Sequence, residues 1–416
     1  MARVAVFYTP GSASPLELAA AAEADGDELV ILCLSDDAEA RVLVDLRVNS
    51  LRFVPAWSLG DDELSRLVSA TKPDGIAAFS DKAIARAAAV ASRLAIPYHS
   101  PETARALTDK AVQRRRLMKA GVSVARGMTT DTKGLSRAVE QVGMPAIVKP
   151  SQASGSAWAR LILSETQLLQ HIAEAHAEGV NGPWIVEVPL KGSRDRHGSW
   201  LAGYASVETF IQDGNYQHLC VTDRLPLVSP LREGGLLLPS LLPHQDWERL
   251  FAEADRALSA LGVEHGITQT ELMLTPDIPT VIEVNGRLGG FIDSLMRLAS
   301  DTDLIRASIA TATRLTSIPI PQFKRYALAY IVHAPVGSHH VERGPDPRAL
   351  QALPGVVRVN IKTRRGQRVT PHVGTEARLG TVTLVADEPA QLRQRIEELE
   401  LLLSSTLSFV GGEFAQ

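Results

Sequence analysis

The sequence has 416 residues, of which 45% are hydrophobic and 22% are charged, and its formal net charge is −4. This composition excludes a wholly disordered chain, which needs low hydrophobicity and a high net charge. It also argues against a nucleic-acid binder, because such proteins carry an excess of basic residues that neutralise phosphates. At about 100–200 residues per domain, the length predicts two to four domains.

The two cysteines, Cys33 and Cys220, lie in apolar segments and are expected to be small buried side chains. They form neither a disulfide framework nor a zinc-ligand pattern. The N-terminal sequence MARVAVFYTPG is short and strand-like rather than typical of a secretory signal. No apolar run reaches the roughly 20 residues of a membrane helix. We therefore expect a soluble, cytoplasmic protein with no membrane or nucleic-acid partner.

The first hundred residues alternate between short apolar runs, typical of buried parallel strands, and Ala-rich helices. This alternation predicts a doubly wound α/β domain that ends near residue 100. The first strand is not followed by G-x-G-x-x-G, so no dinucleotide site is predicted. The predicted strands cover 3–9, 28–34 and 75–80, and the predicted helices cover 15–25, 61–72 and 81–96.

The rest of the chain mixes helices with strands of both alternating and continuous apolar pattern. We expect a hairpin over 199–223 with its turn at 213–215, an irregular Pro- and Gly-rich segment over 226–243, and a strand-rich third region with a long terminal helix. Further helices are predicted over 101–120, up to 142, over 165–178 and over 245–262, and further strands over 123–129, 146–150, 161–164, 184–188, 267–275 and 280–286.

Two acidic residues, Glu271 and Glu283, lie on consecutive predicted strands separated by a short turn. Antiparallel pairing would bring both carboxylates to one face, and Asn285, two positions after Glu283, points to the same side. Two carboxylates and an amide oxygen suit magnesium that bridges phosphates. Arg287, two residues further on, would add a fixed cation beside them.

Only nine of the 43 basic residues are lysines, so each lysine stands out against an arginine-rich background. Lys149 ends an apolar strand, where an ammonium group needs an anionic partner. Lys110 lies on a predicted helix and is either a solvated lysine or a second cation of the same site. The loop after Lys149 is rich in small residues, which let backbone N–H groups approach phosphate oxygens. These residues are Ser151, Ser154, Gly155 and Ser156.

Another apolar strand closes with the sequence EVPL, from Glu187 to Leu190. A backbone that leaves a strand there can offer one N–H and one C=O to an adenine edge, and it is otherwise a plain strand end.

Taken in chain order, these elements resemble the ATP-grasp superfamily. The resemblance covers residues 1–320 well and the C-terminal region more loosely. It implies an α/β and α+β fold: an N-terminal doubly wound parallel-sheet domain (1–100), a two-lobed ATP-binding region (101–320) with a small lid lobe at about 125–190, and a C-terminal α+β domain (321–416). The lid departs from the family pattern, because SQASGSAWAR has the single glycine Gly155 and the bulky Trp158.

The resemblance implies that Lys110 and Lys149 contact ATP phosphates, while residues 151–160 close over the β- and γ-phosphates as a lid. Glu187 and Leu190 would hold adenine or ribose. The remaining set would bind two magnesium ions, or manganese in their place, and Arg287 would steady the transferred phosphoryl group with help from Lys149. That metal set is Glu271, Glu283 and Asn285.

Within the superfamily the chain is most similar to carboxylate–amine ligases that join L-amino acids, on the segments GVEHGITQTELML and IEVNGRLGG. Their reaction forms an amide through an acyl phosphate and releases ADP and phosphate. The alternatives are a biotin-carboxylase-like or purine-pathway enzyme of the same superfamily, and a non-catalytic ATP-binding module. Similar enzymes are commonly homodimers, so the resemblance also allows a homodimer for this chain.

A last group of residues lies where family members bind the acceptor. His265 would approach the acyl phosphate or is a structural histidine. Arg232 would pair with a substrate carboxylate and Glu233 with an ammonium group, or both are solvated loop charges. Gly289 and Gly290 would bind an anion at a helix start or only shape that start.

Overall fold

The computed structural model describes residues 2–45, 51–194, 200–313, 317–337 and 340–411. The N-terminal region is the predicted doubly wound domain: its four described strands are parallel and follow the order β3-β2-β1-β4. The helix and strand at 38–55 are additions that the sequence pattern did not predict. The elements are β1 (Arg3–Tyr8), α1 (Pro15–Asp25), β2 (Glu28–Cys33), α2 (Ala38–Asp45), β3 (Leu51–Pro55), α3 (Asp61–Thr71), β4 (Gly75–Ala78) and α4 (Asp81–Leu94).

The single helix predicted over 101–120 is two helices, α5 (Pro101–Thr108) and α6 (Lys110–Lys119). The helix is interrupted at Asp109, which has an extended backbone. The Asp109 carboxylate accepts hydrogen bonds from the N–H groups of Ala111 and Val112. Asp109 is therefore the N-cap of α6. As a result, Lys110 is the first residue of a helix instead of lying within one.

The lid lobe is a small antiparallel sheet with the strand order β5-β8-β6-β7, covered by two helices. Its core contains the aliphatic residues that the helical and strand patterns point inward, together with Trp184. Its elements are β5 (Gly127–Thr130), α7 (Leu135–Val142), β6 (Ala146–Pro150), β7 (Arg160–Ile162), α8 (Glu165–Ala177) and β8 (Trp184–Glu187).

The remaining strands build a sheet in which eight described strands follow the order β13-β12-β9-β10-β11-β14-β17-β16. Strand β11 lies in the segment 226–243, which was predicted to be irregular; the prediction was wrong for these four residues, and the rest of the segment has no helix or extended strand. The elements are β9 (Tyr204–Gln212), β10 (Asn215–Arg224), β11 (Gly235–Leu238), α9 (His244–Leu261), β12 (His265–Met273), β13 (Thr280–Asn285), α10 (Ile292–Ser300), α11 (Leu304–Thr311), β14 (Tyr326–Val332), β15 (His340–Arg343), α12 (Pro347–Gln351), β16 (Val356–Ile361), β17 (Gly380–Ala386), α13 (Pro389–Thr406) and β18 (Ser408–Val410).

Strand β11 matters because it pairs with β10 on one side and β14 on the other. Strands from both sides of residue 320 therefore belong to one sheet. The boundary at 320/321 stays a prediction, but the C-terminal region is built onto the ATP-binding region through backbone hydrogen bonds.

The hairpin between β9 and β10 has the predicted turn, in which Asp213 and Gly214 both adopt positive φ values, 52° and 73°. This backbone matches the twist of paired strands. Residue 199, where the predicted hairpin begins, lies outside the described residues. Both cysteines are buried and unpaired, as expected. No helix in the described parts of the chain combines the length and apolar character of a membrane span.

His171 on α8 makes stability depend on pH. Its ring lies between Trp158 and Trp184, at centroid distances of 6.0 and 5.6 Å. Burial, followed by the charge of Arg160, lowers the pKa of His171 from 6.5 to about 4. The unfolded chain gains this proton near pH 6.5 and the folded chain only near pH 4, so stability falls as the pH is lowered through that window. Between pH 6.5 and 5 this residue accounts for at most about 2 kcal/mol.

We predict that His171→Phe, which keeps an aromatic ring but cannot be protonated, flattens the fall in the free energy of unfolding between pH 7 and 5. Urea unfolding at several pH values measures this slope. His176→Phe is the matched control, because that side chain is exposed on the same helix. A His171→Phe slope equal to that of the unmodified protein would contradict the prediction.

Candidate active site

Helix α6 is fixed against strand β13 by the buried side chain of Gln113. Its amide nitrogen donates to the carbonyl of Val284 at 2.8 Å, and its amide oxygen accepts from the N–H of Val284 at 2.9 Å. These two bonds set the distance between the first residue of α6 and strand β13. The Lys110 ammonium consequently reaches Glu283 at 2.5 Å and the carbonyl of Ala153, in the lid loop, at 2.6 Å.

A second group of charges lies where the lid sheet faces β13. Lys149 on β6 donates to one carboxylate oxygen of Glu187 on β8 at 2.5 Å, and Arg114 on α6 donates to the other at 2.8 Å. All three side chains are largely buried. Burial acts to raise the pKa of Glu187, but the two cations outweigh it, so the net shift of that pKa is downward. Glu187 therefore stays ionised between two cations.

Glu271 and Glu283 are direct partners in the antiparallel pairing of β12 and β13, as the alternation predicts. Asn285 is paired with Gln269, and its amide nitrogen donates to the side-chain oxygen of Gln269 at 3.5 Å. A bulge follows this pair, because the next residue, Leu272, pairs with Val281. The bulge leaves Glu271 and Glu283 directly opposite each other. Two carboxylates and an amide oxygen thus share one end of this strand pair.

Glu271 carries the electrostatic signature of a site built for a cation. Burial raises its pKa to about 7; Arg224 opposes that shift, and the neighbouring carboxylates Glu233 and Glu283 add to it. Carboxylates crowded in this way gain from a shared divalent ion, and the oxygen donor set suits magnesium. Within the described residues no cluster of three or more His, Cys, Asp or Glu side chains could hold a metal, so the set depends on the Asn285 amide.

Arg287 extends from the end of β13 toward the N-terminal domain. Its guanidinium donates to Asp81, the first residue of α4, at 3.0 Å and to the carbonyl of Leu288 at 3.1 Å. It also lies 3.5 Å from the side-chain oxygen of Asn285. The N-terminal domain therefore orients the arginine that follows the metal-candidate residues.

The lid loop presents its small residues unequally. Ser154 and Gly155 are exposed and Ser156 is half-buried, whereas Ser151 is buried and its backbone links Lys110 to Pro183. The middle of the loop, and not its start, is therefore exposed to solvent.

At the strand end after β8, Leu190 is half-buried. It lies three residues beyond Glu187, whose carboxylate is held by the two cations.

Two sequence predictions are not supported by position. His265 is the first residue of β12, six residues and about 20 Å along an extended strand from Glu271. Its ring lies 3.8 Å from Asp213 at the hairpin turn, far from any phosphate near Glu271. Arg232 is buried, donates to the carbonyls of Ser229 and Ala334, and has its pKa lowered to about 10 by burial. We assign both residues structural roles.

The other acceptor-site candidates do adjoin the cluster. Glu233 accepts from Arg224 at 2.5 Å. Gly289 is buried, and a Cβ there would come within 1.9 Å of the Gln269 amide nitrogen, so a larger residue would displace the Gln269 side chain. Gly290 is exposed at the start of α10.

The sequence analysis missed several residues that complete the cluster. Arg224 is fully buried on β10, 3.7 Å from Glu271 and 3.0 Å from the hydroxyl of Ser206. Glu208 on β9 is fully buried and accepts from Gln269 at 2.9 Å. For Glu208 and Arg224 the available signal was a charged residue inside an apolar strand. The same signal identified Lys149. The missed residues are Asp81, Arg114, Glu208, Arg224 and Gln269.

Comparison with known proteins agrees with this geometry. Residues 109–316, half of the chain, match the ATP-binding domain of the carbamoyl-phosphate synthase large chain. The chain therefore belongs to that family, within the ATP-grasp superfamily. Residues 340–407 match the L-amino acid ligase C-terminal domain 2.

The chain is also similar to individual proteins. It is 28% identical over 336 residues to an uncharacterized protein of Sinorhizobium fredii, covering 78% of this chain and 66% of that protein. It is 27% identical over 235 residues to alanine–anticapsin ligase of Bacillus subtilis, covering 52% and 49%. The solved structure of an L-amino acid ligase from Bacillus licheniformis superposes with a TM-score of 0.76 at 19% identity, covering 99% of both chains. The alignments thus span 66% and 49% of the lengths of these two curated relatives.

We predict that Lys149→Ala weakens ATP binding by about 10- to 100-fold, the range for a charge-assisted hydrogen bond. Isothermal titration with a non-hydrolysable ATP analogue measures this change. Lys133→Ala is the control, because Lys133 is exposed in the same lobe. An unchanged affinity in Lys149→Ala would place Lys149 among purely structural lysines.

Proposed function

We propose that the protein is an ATP-dependent carboxylate–amine ligase. It joins amino acids or similar molecules through an amide bond, and we propose that this amide is a peptide bond. The observation that carries the proposal is a cluster of buried charges: Lys110 contacts Glu283, the strand partner of Glu271, and Lys149 contacts Glu187. Arg287 lies beside Asn285 in the same cluster. The ligase C-terminal domain match at 340–407 and the alanine–anticapsin ligase similarity support the amino-acid substrates.

The chemistry requires an activated carboxylate, because oxide is a poor leaving group. A carboxylate oxygen attacks the γ-phosphorus of ATP, the bond to the β-bridging oxygen breaks, and ADP leaves. The amine nitrogen then attacks the acyl carbon, the bond to the phosphate oxygen breaks, and the nitrogen loses a proton as the amide forms. The products are the amide, ADP and phosphate.

Each part of the cleft has a defined task in this reaction. Lys110 and Lys149 bind and orient the phosphates, and Arg287, held by Asp81, lies beside the transferred phosphoryl group. Glu187 and Leu190 are the proposed contacts for adenine or ribose. Two magnesium ions, or manganese in their place, would be held by Glu271, Glu283 and Asn285 and would screen the phosphate charge.

The lid loop protects the acyl phosphate from water. Glu233 and the start of α10 at Gly289 and Gly290 border the acceptor pocket.

Mass spectrometry of products tests the proposal. The protein is incubated with ATP, magnesium and amino acids offered singly and in pairs, and ADP is measured in parallel. We expect an amide product with a matching amount of ADP in at least one mixture. Bicarbonate-dependent ADP would indicate instead a biotin-carboxylase-like or purine-pathway enzyme, and ATP binding without ADP in any mixture would indicate a non-catalytic module.

We predict that Glu283→Gln lowers kcat at least 100-fold at saturating magnesium and leaves the fold intact, because it removes a charged oxygen donor from a partly solvent-exposed position. Circular dichroism checks the fold, and ADP formation measures the rate. Glu264→Gln, exposed just before β12, is the control. Near-normal activity of Glu283→Gln would exclude Glu283 from the metal set.

A further inference from the structure

The lid loop, residues 151–160, forms backbone hydrogen bonds with the C-terminal region. The N–H of Trp158 donates to the carbonyl of His372 at 2.8 Å, and the N–H of Thr375 donates to the carbonyl of Gly155 at 2.8 Å. The segment concerned is the 3₁₀ stretch Pro371–Ala377. Two backbone hydrogen bonds in opposite directions hold this segment against the loop.

Side chains reinforce the same contact. The Trp158 indole stacks on the His372 imidazole, with ring centroids 5.1 Å apart and an interplanar angle of 17°. Gly374 has a φ of +77°, and a Cβ there would lie 2.1 Å from the carbonyl oxygen of Gly155. The loop therefore approaches a position that only glycine can occupy. These contacts account for Trp158, the bulky residue that departs from the small-residue pattern of the lid.

The docked segment continues toward the candidate acceptor pocket. Thr375 is buried, and its hydroxyl oxygen accepts from the N–H of Glu233 at 3.2 Å. Glu233 in turn holds Arg224, which lies 3.7 Å from Glu271. One residue, Thr375, thus joins the lid loop through its backbone and the pocket through its side chain.

We propose that residues 371–378 are a latch that binds the closed lid loop, and that Thr375 is a positioning residue that aligns Glu233 when the loop is docked. The proposal rests on the proposed ligase function for its effect on substrate. It connects two events that the reaction needs together: the loop covers the phosphates and the acceptor pocket takes its final shape. Arg378 supports the same end of the pocket, because its guanidinium lies 5.5 Å from the ring centroid of Phe291.

Hydrogen–deuterium exchange of the whole protein, with and without a non-hydrolysable ATP analogue, tests the latch without turnover. We expect Trp158→Ala and His372→Ala each to speed exchange at least fivefold in peptides covering 151–160 and 371–378, because the two bonded amides lose their protection. Val373→Ala is the control on the same segment, where the side chain is exposed. Exchange in both variants equal to that of Val373→Ala would overturn the latch.

Kinetics of Thr375 variants test the link to the pocket. Thr375→Val keeps the size and the backbone N–H but removes the acceptor for Glu233, so we expect the acceptor KM to rise about tenfold with the ATP KM unchanged. Thr375→Ser keeps the hydroxyl and should restore the acceptor KM. Equal KM values in Thr375→Val and Thr375→Ser would overturn the positioning role. If the unmodified protein makes no ADP with any substrate, the ligase function fails, while the exchange result still decides the latch.

Discussion

The arrangement of the candidate active site depends on the pairing of its buried charges. The cations of the candidate active site are largely withdrawn from water, and an unpaired buried charge costs several kcal/mol. The fold meets this constraint by giving each cation a carboxylate of the protein itself. The pairs are Lys110 with Glu283, Lys149 and Arg114 with Glu187, Arg287 with Asp81, and Arg224 with Glu233.

This pairing has a consequence for how a ligand binds. A phosphate that approaches Lys149 does not fill an empty position, because it competes with Glu187 for the same ammonium group. The net affinity is then the difference between two charge-assisted interactions. The ion pairs also hold the cations in place before a ligand arrives, which lowers the entropy lost on binding.

The sequence was most informative where function follows from local pattern. Lys149 interrupts an apolar strand, and the alternation in E-x-N places Glu283 and Asn285 on one face; the structure has that strand and pairs Glu271 with Glu283 in register. Local pattern also predicted the parallel N-terminal sheet and the hairpin turn. Within 226–243 it missed only the short strand β11, because Pro and Gly residues obscure that strand, whose place is set by its two neighbours.

The partners of the motif residues could not be predicted, because they come from distant parts of the chain. Asp81 and Arg287 are 206 positions apart, and Thr375 and Glu233 are 142 apart. Pairings over such separations are fixed by the packing of domains and leave no periodic signal. His265 shows the opposite error: it lies close to Glu271 in sequence, but it is the first residue of the extended strand β12, which carries it away from Glu271.

The residues proposed for the nucleotide side could be predicted from the sequence, whereas most of those proposed for the acceptor side could not. The nucleotide side uses residues clustered in short motifs, and its domain matches a family model that spans half of the chain. The acceptor side that we propose would be assembled from β10, the loop before β11, the start of α10 and the segment after β16. Strand β11 pairs with β14, and the segment after β16 is hydrogen-bonded to the lid loop. If the proposed acceptor pocket is correct, substitutions in that segment would alter substrate choice while the motif residues of the nucleotide site stay the same.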